Sequence, residues 1–479
     1  MKFNTSENNF LKLKDFNKVF ETISLVAEEL NQPTFIIGGF VRDAMIQRSS
    51  KDIDLVTLGS GIKMAKLISK KLNNIPVKVF KSFGTAMILI DDLEFQFVGA
   101  RKESYRQNSR NPIVEDGTIE DDQNRRDFTI NALAVGLSHQ YKGKFIDPFN
   151  GLKDLNDKLI QTPLDADLTF SDDPLRMIRA IRFAAQLNFK IENKTLESIK
   201  KNSKRISIVA QERITEELNK IILSDYPSTG FKLLEKTDLL KIIFPEFQLL
   251  KGIDVIDGNG HKDNFYHTLS VLDNILPHSK GMLWLRWAVL LHDIAKPKTK
   301  RYNKKQGWTF HGHEDKGARM VPGIFKNLKL PLDDKMKYVK KLVFLHLRPI
   351  SLTNEKITDA ALRRLLFEAG DDLEDLMLLC QSDITSKNIE KKQKYLKRFE
   401  VVKQKLKDVE QRDKIKNWQP PIDGKEIMTH FNIGPCKEVG TIKEAIKNAI
   451  LDGEIKNNKK EAELFMIEKA KKLGISNGE

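Results

Sequence analysis

Two cysteines, Cys380 and Cys436, are all that this chain of 479 residues contains. So few cannot build the disulfide framework of a small secreted scaffold, and a reducing cytoplasm is the default compartment. Long apolar runs are also missing: no stretch approaches the roughly 18 residues needed to cross a bilayer. The opening residues, MKFNTSENNFLKLKDF, are hydrophilic and lack the apolar core of a secretory signal. Repeats and low-complexity tracts are absent too. Disulfide-stapled and membrane-spanning classes are thereby excluded.

What the chain does have is length and positive charge. Lys plus Arg number 81 against 66 Asp plus Glu, a net +15, which favours a polyanionic partner. Nucleic acid fits that partner better than a membrane does. The length is too great for one core and suits roughly three or four units of ~100–200 residues. Short apolar strands are expected at 35–37, 77–80, 86–90 and 95–98, with a helix near 62–72. From about residue 165 strand signals nearly vanish, and 174–187, 208–223, 269–275 and 283–291 follow helical periodicity. Asn417-Trp418-Gln419-Pro420-Pro421 cannot continue a helix. Between Lys387 and Lys416, 12 Lys/Arg face 5 Asp/Glu, a solvated helix face or a track for phosphates.

The densest signal is Gly38-Gly39-Phe40-Val41-Arg42-Asp43, followed by Asp52-Ile53-Asp54. The glycines let the backbone turn sharply after a buried strand and approach an anionic ligand. Residues 41–48 read as a short helix whose first amides face that ligand. On a strand, Asp52 and Asp54 project from one face. That is how two oxygen ligands share a hard cation such as Mg2+ for phosphoryl transfer.

A second motif, Arg125-Arg126-Asp127-Phe128-Thr129-Ile130-Asn131-Ala132-Leu133, puts two cations and a carboxylate ahead of an expected apolar helix. Asp127 is a candidate cap for it, and Arg126 a bidentate donor to a triphosphate. A third, Asp172-Asp173-Pro174-Leu175-Arg176, continues to Arg179 and Arg182. Asp173 is a candidate N-cap with Pro174 at the first helical position, and the three arginines recur on neighbouring turns. Farther along, His267, His292-Asp293 and Asp383 form an ordered set of imidazoles and carboxylates suited to a divalent metal. His311, His313 and His346 lie between the dyad and the last aspartate.

These strings resemble the nucleotidyltransferase superfamily, in the form of the class II bacterial tRNA nucleotidyltransferases (CCA-adding enzymes) and their poly(A) polymerase relatives. Ala100-Arg101-Lys102-Glu103-Ser104-Tyr105, Asp116-Gly117-Thr118 and Glu120-Asp121-Asp122 extend the match. The set from His267 to Asp383 resembles the HD phosphohydrolase domain, and residues 422–453 resemble the short C-terminal module of the same enzymes.

The resemblance implies an α+β chain: a nucleotidyltransferase α/β head at 1–160, then an all-helical remainder. The latter comprises a neck at 161–225, a body with the HD domain at 226–400 and a tail at 401–479. It implies Mg2+ on the catalytic Asp52 and Asp54, and nucleotide contacts from Gly39, Arg42, Arg126, Asp173, Arg176, Arg179 and Arg182. The implied partners are tRNA, CTP and ATP, with no membrane; oligomeric state is left open. His267, His292, Asp293 and Asp383 would hold a transition metal such as Ni2+, Mn2+ or Co2+.

In this family the third motif serves as a protein template. Cytosine and adenine each offer an amino donor beside a ring-nitrogen acceptor. A carboxylate at Asp173 and a guanidinium at Arg176 match that pair, whereas uracil and guanine mismatch it. Two departures stand out: Asp172 replaces the usual Glu, and Gln96 stands where relatives place a third carboxylate. Glu94 and Asp127 are the candidates to replace it. The function expected is CCA addition to tRNA; poly(A), A-only or CC-only addition is the alternative within the family. An HD phosphohydrolase acting on nucleotides or RNA ends is the alternative outside it.

Overall fold

The computed structural model describes residues 17–104, 113–353, 357–385 and 388–475. The hydrophilic opening residues 1–16, Tyr105 and Lys387 lie outside them. Two compact units emerge, 1–243 and 244–479.

The first unit begins with α1 (Asn17–Leu30), β1 (Thr34–Ile37), α2 (Gly39–Met45), β2 (Asp52–Thr57) and α3 (Gly61–Lys71). Strands β3 (Val77–Phe80), β4 (Thr85–Ile90), β5 (Leu93–Gly99), β6 (Arg101–Ser104) and β7 (Ile113–Asp116) follow. Next come α4 (Ile119–Asn124), β8 (Ala134–Gly136) and β9 (Phe145–Ile146). A seven-stranded sheet takes the order β3-β4-β5-β2-β1-β8-β9, antiparallel except for β2 beside β5.

Alternation decides which face is which. Ile53, Leu55, Phe95 and Phe97 are fully buried on one side, where Phe20 of α1 meets Phe95 edge-on at 6.3 Å. The other side of the same strands is left to Asp52, Asp54, Glu94 and Gln96.

Helices then take over: α5 (Gly151–Asp157), α6 (Ala166–Asp172), α7 (Leu175–Leu187), α8 (Asn193–Asn202) and α9 (Gln211–Leu223). Helix α7 packs on α9 through an apolar stripe of Met177, Ile178, Ile181 and Ala184.

The second unit is helical apart from two short hairpins, 255–260 and 301–309. Its core joins helices Asn264–Ile275, Leu283–Leu291, His313–Asn327, Asp334–Leu345 and Leu373–Asp383. The basic run forms one helix, Ile389–Asp413, and three shorter helices close the chain around Ile427, Ile442, Ile446 and Met466.

Three local expectations need correcting. The second motif contains no helix: Thr129–Asn131 is a single 3-10 turn opened by Phe128, and the chain runs at once into β8. Asp127 therefore caps nothing helical. At α7 the N-cap is Pro174, with Asp173 one step earlier accepting from the Leu175 amide at 3.2 Å. Helix α2 ends at Met45, sooner than expected.

Candidate active site

The glycine turn comes first, and only one of its glycines needs to be glycine for its backbone. Gly38 sits at φ 85°, in the left-handed region that side chains disfavour. A Cβ there would stand 2.5 Å from Arg126 Nη1 and 3.5 Å from Asp54 Oδ2. Gly39 opens α2, and a Cβ on it would meet only Arg42 Nη2, at 3.6 Å. The turn thus packs the backbone against the acidic strand and an arginine of the second motif.

The register of β2 with β5 sets Asp52 beside Glu94 and Asp54 beside Gln96. Gln96 donates its amide to Glu94 Oε1 at 2.8 Å. Of the two candidates for the third carboxylate, Glu94 thus neighbours the Asp-x-Asp on its own face. Asp127 is occupied elsewhere. Burial, opposed by Arg126 and reinforced by Asp52, pushes the Asp54 carboxyl above its ordinary value. Paired oxygen donors of this kind suit a hard divalent cation.

Asp122 organises the second motif. Thr118 and Asp121 form a capping box at the start of α4, which aims the fully buried Asp122 inward. Asp122 accepts from Arg125 and, at 3.2 Å, from Arg126 Nε. Sequence reasoning matched Asp122 only as part of Glu120-Asp121-Asp122 and gave it no role, although its spacing of i, i+3, i+4 to the two arginines is a local ion-pair pattern. Asp127 accepts from Arg179 Nη2 at 2.6 Å and from the Asn131 amide at 2.9 Å. Burial alone would raise its pKa, but Arg179 and these hydrogen bonds hold it well below the usual carboxylate range.

A cavity of about 460 Å3 gathers Asp54, Arg126, Asp127, Asp173, Arg176 and Arg179, and adds Arg101, Arg125, Arg213 and Phe83. Arg176 donates to the Arg125 carbonyl at 2.6 Å, and Arg213 of α9 stands 3.9 Å from Asp173 Oδ2. Sequence reasoning missed Arg213, because nothing local ties it to Asp173 forty residues earlier.

Asp52, Gly39, Arg42 and Arg182 lie outside the cavity lining. Asp52 is at the exposed start of β2. Arg42 is buried, bonded to Asn131 Oδ1 at 2.6 Å and paired with Asp43 at 2.8 Å. Arg182 is likewise buried and paired with Glu217 of α9 at 3.1 Å. Burial, opposed by Glu217, drops its pKa to about 10.

In the second unit the four expected ligands converge. His267 Nε2 lies 2.9 Å from Asp383 and 3.4 Å from Asp293 Oδ2. His292 Nε2 lies 3.3 Å from the same Asp293 oxygen. The other oxygen, Oδ1, faces His313 at 3.2 Å and His346 at 3.9 Å, so Asp293 belongs to two possible metal-holding groups. His311 is exposed and outside both.

Each inner ring is fixed from behind. His292, His313 and His346 set Nδ1 against the carbonyls of Val289, Phe310 and Val343 at 2.6–2.7 Å, leaving Nε2 pointing inward. His292 Nε2 is buried and makes no hydrogen bond, as expected of a group shaped for a cation. Burial opposes charge on His292, but Asp293 and Asp383 outweigh it and raise its pKa to about 10. His346, lowered to about 3 by burial and by His292, is neutral. Lys296, 2.6 Å from Asp293 Oδ2, is a neighbour that sequence reasoning did not single out.

Comparison with known proteins agrees with this geometry. Residues 34–161 match the family described as the poly A polymerase head domain. Residues 188–250 match that described as "Probable RNA and SrmB- binding site of polymerase A", and 264–388 the HD domain. The A-adding tRNA nucleotidyltransferase of Deinococcus radiodurans is 31% identical over 345 residues, covering 70% of this chain and 76% of that one. The CCA-adding enzyme of Limosilactobacillus reuteri is 28% identical over 455 residues, 94% of this chain and 96% of that one. Among solved structures, the Bacillus stearothermophilus CCA-adding enzyme in complex with CTP shares the fold with a TM-score of 0.66. It does so at 20% identity, over 96% of this chain and 98% of that one. Likeness that runs through the head and the helical half alike supports one assignment: the chain belongs to the tRNA nucleotidyltransferase family and is an enzyme of nucleotidyltransferase type.

Proposed function

We propose that this enzyme completes tRNA 3′ ends with CCA, taking CTP and ATP in turn with no nucleic-acid template, in the cytoplasm. The observation that carries the reading is the cavity itself. Its lining brings a strand carboxylate, Asp54, together with several guanidiniums and with Asp173 and Arg176, an acceptor and a donor. In this reading the tRNA 3′ oxygen bonds to the α-phosphorus and pyrophosphate leaves. Mg2+, held by Asp52 and Asp54, supplies charge neutralisation and hydroxyl activation when bound. Arg126, steadied by Asp122, donates to the triphosphate. Asp173 accepts from the amino group of cytosine or adenine while Arg176 donates to the ring nitrogen. Arg179 and Arg42 hold the helix and turn that carry these readers, and Gly39 opens α2 beside them.

The head, 1–160, thus supplies the reacting edge and the neck, 161–225, the reader. The body, 226–400, and tail, 401–479, carry the HD site and the outer RNA contacts. The test is radiolabelled CTP and ATP offered separately and together to tRNA lacking its last three nucleotides. Two additions from CTP alone and a third only with ATP present support the reading. Addition of A alone, of C alone or of a long A tract points to a narrower family member.

A second activity has its own observation: the buried His292 Nε2, which makes no hydrogen bond, beside Asp293 and among fixed imidazoles. Nucleotidyltransferase and HD families depend on metals, and this nitrogen-rich set suits Ni2+, Mn2+ or Co2+ better than Mg2+. It would act on phosphate esters at RNA ends or on nucleotides. His292→Ala with Asp293→Ala should strip transition metal from the protein, as read by elemental analysis, and remove hydrolysis of 2′,3′-cyclic nucleotides. Nucleotide addition should survive. Wild-type protein with neither metal nor hydrolysis would refute this part alone.

A further inference from the structure

Phe183 of α7 is buried to 5% exposure, and three guanidinium groups surround its ring. Arg182 lies 4.2 Å from the ring centroid, Arg42 4.9 Å and Arg179 5.7 Å. Phe128 approaches at 5.8 Å, with its ring at 82° to that of Phe183. Each cation also has its own carboxylate: Asp43 for Arg42, Asp127 for Arg179, Glu217 for Arg182. Two of the three are joined in a further path. Arg42 donates to Asn131, Asn131 donates to Asp127, and Asp127 accepts from Arg179. The path leaves α2, crosses the 3-10 turn of the second motif and enters α7. Phe183 closes it by touching the cation at each end.

Three like charges so close repel one another, the more so because Arg42 and Arg182 are buried, while Arg179 is about one third exposed. The paired carboxylates offset that repulsion, and the negative face of the aromatic ring adds a further attraction. An aliphatic side chain of similar size would fill the space and leave the guanidiniums without that partner. We propose that Phe183 is a positioning residue: its ring locks the base-reading helix to the glycine turn and so makes base discrimination depend on the geometry of the acidic strand. Asp173 and Arg176 precede it by ten and seven residues, on α7 or at its start, and stand only as firmly as that helix. The proposal rests on the reading that Asp173 and Arg176 select the base.

The test replaces Phe183 with ring-fluorinated phenylalanines carrying one, two and three fluorines, beside Phe183→Leu and Phe183→Trp. Fluorination drains the ring face with little change in volume, so a packing role would not register it. Discrimination is read as kcat/KM for CTP and ATP over that for UTP and GTP, and thermal unfolding is followed in parallel. Discrimination should fall stepwise along the fluorine series, to about a tenth of wild type, with at most a small drop in the unfolding midpoint. Phe183→Leu should fall at least as far, and Phe183→Trp should retain most of it.

A flat fluorine series, or one common slowing of all four nucleotides, overturns the proposal. Wild-type protein that adds neither C nor A overturns the functional reading beneath it, which a flat series on an active enzyme does not.

Discussion

Gly38 illustrates how much can hang on one missing Cβ. Its backbone is left-handed, and a Cβ on it would stand 2.5 Å from Arg126 and 3.5 Å from Asp54, so the turn, Arg126 and Asp54 pack together only because that atom is missing. Around that contact, Asp52→Ala and Asp54→Ala should each bring nucleotide addition below about 1% of wild type, a loss of ~2.7 kcal/mol or more. The affinity for tRNA, measured by filter binding, should stay nearly unchanged, because phosphate contacts elsewhere dominate it. Arg176→Ala should do something different: slow CTP and ATP and raise the relative use of UTP and GTP, because the penalty on a facing ring N–H is gone. Competition among the four nucleotides checks this. Asp52-Ile53-Asp54 and the Asp173/Arg176 pair stand out in the sequence because each is a short string with its own chemistry, and the structure brings Asp54, Asp173 and Arg176 to one cavity. Arg213, Phe183 as a hub and the choice between Gly38 and Gly39 do not stand out. Each depends on a backbone angle or on a partner distant in sequence.

At the scale of elements, several strands of the first unit and several helices were legible from period alone, whereas β6–β9 and the long helices His313–Asn327, Lys437–Asp452 and Lys459–Lys472 were not. Helix Leu283–Leu291 begins and ends where its apolar pattern does, and β3 occupies the expected residues. The second motif failed for a physical reason: a three-residue 3-10 turn has no periodicity to display, and Asp127 finds its cation 52 residues onward in α7.

That link makes a pH prediction. Asp127 titrates well below its ordinary value of 3.8 in the folded protein. A depressed folded pKa contributes stability above the unfolded pKa and loses it as pH falls toward the folded one. Asp127→Asn should therefore lower the unfolding midpoint at pH 7, with a cost toward the lower end of ~3–5 kcal/mol because Arg179 is partly exposed. The gap from wild type should close as pH drops below about 4, read by thermal melts at stepped pH.

For the molecule as a whole, the surplus of positive charge is unevenly placed. A share of it, four of the net +15, lies on the helix Ile389–Asp413, whose Lys403, Lys405 and Lys407 are exposed. If that helix tracks tRNA phosphates, changing these three lysines to Gln should flatten the dependence of log affinity on log salt. The slope should fall by roughly 0.7–0.9 for each phosphate that is no longer neutralised; an unchanged slope would mark the helix as a solvated face. No helix among the described residues is long and apolar enough to cross a membrane, as the lack of apolar runs indicated.

The cavity in the first unit shows the same imbalance on a smaller scale: six arginines against three aspartates line it. Such a surplus does not distinguish an incoming triphosphate from the pyrophosphate left behind. Each round of addition would then end with a product held by the same cations that recruited the substrate. Turnover would be governed by the escape of that product, and accumulated pyrophosphate would drive the reaction backward, trimming the end just built.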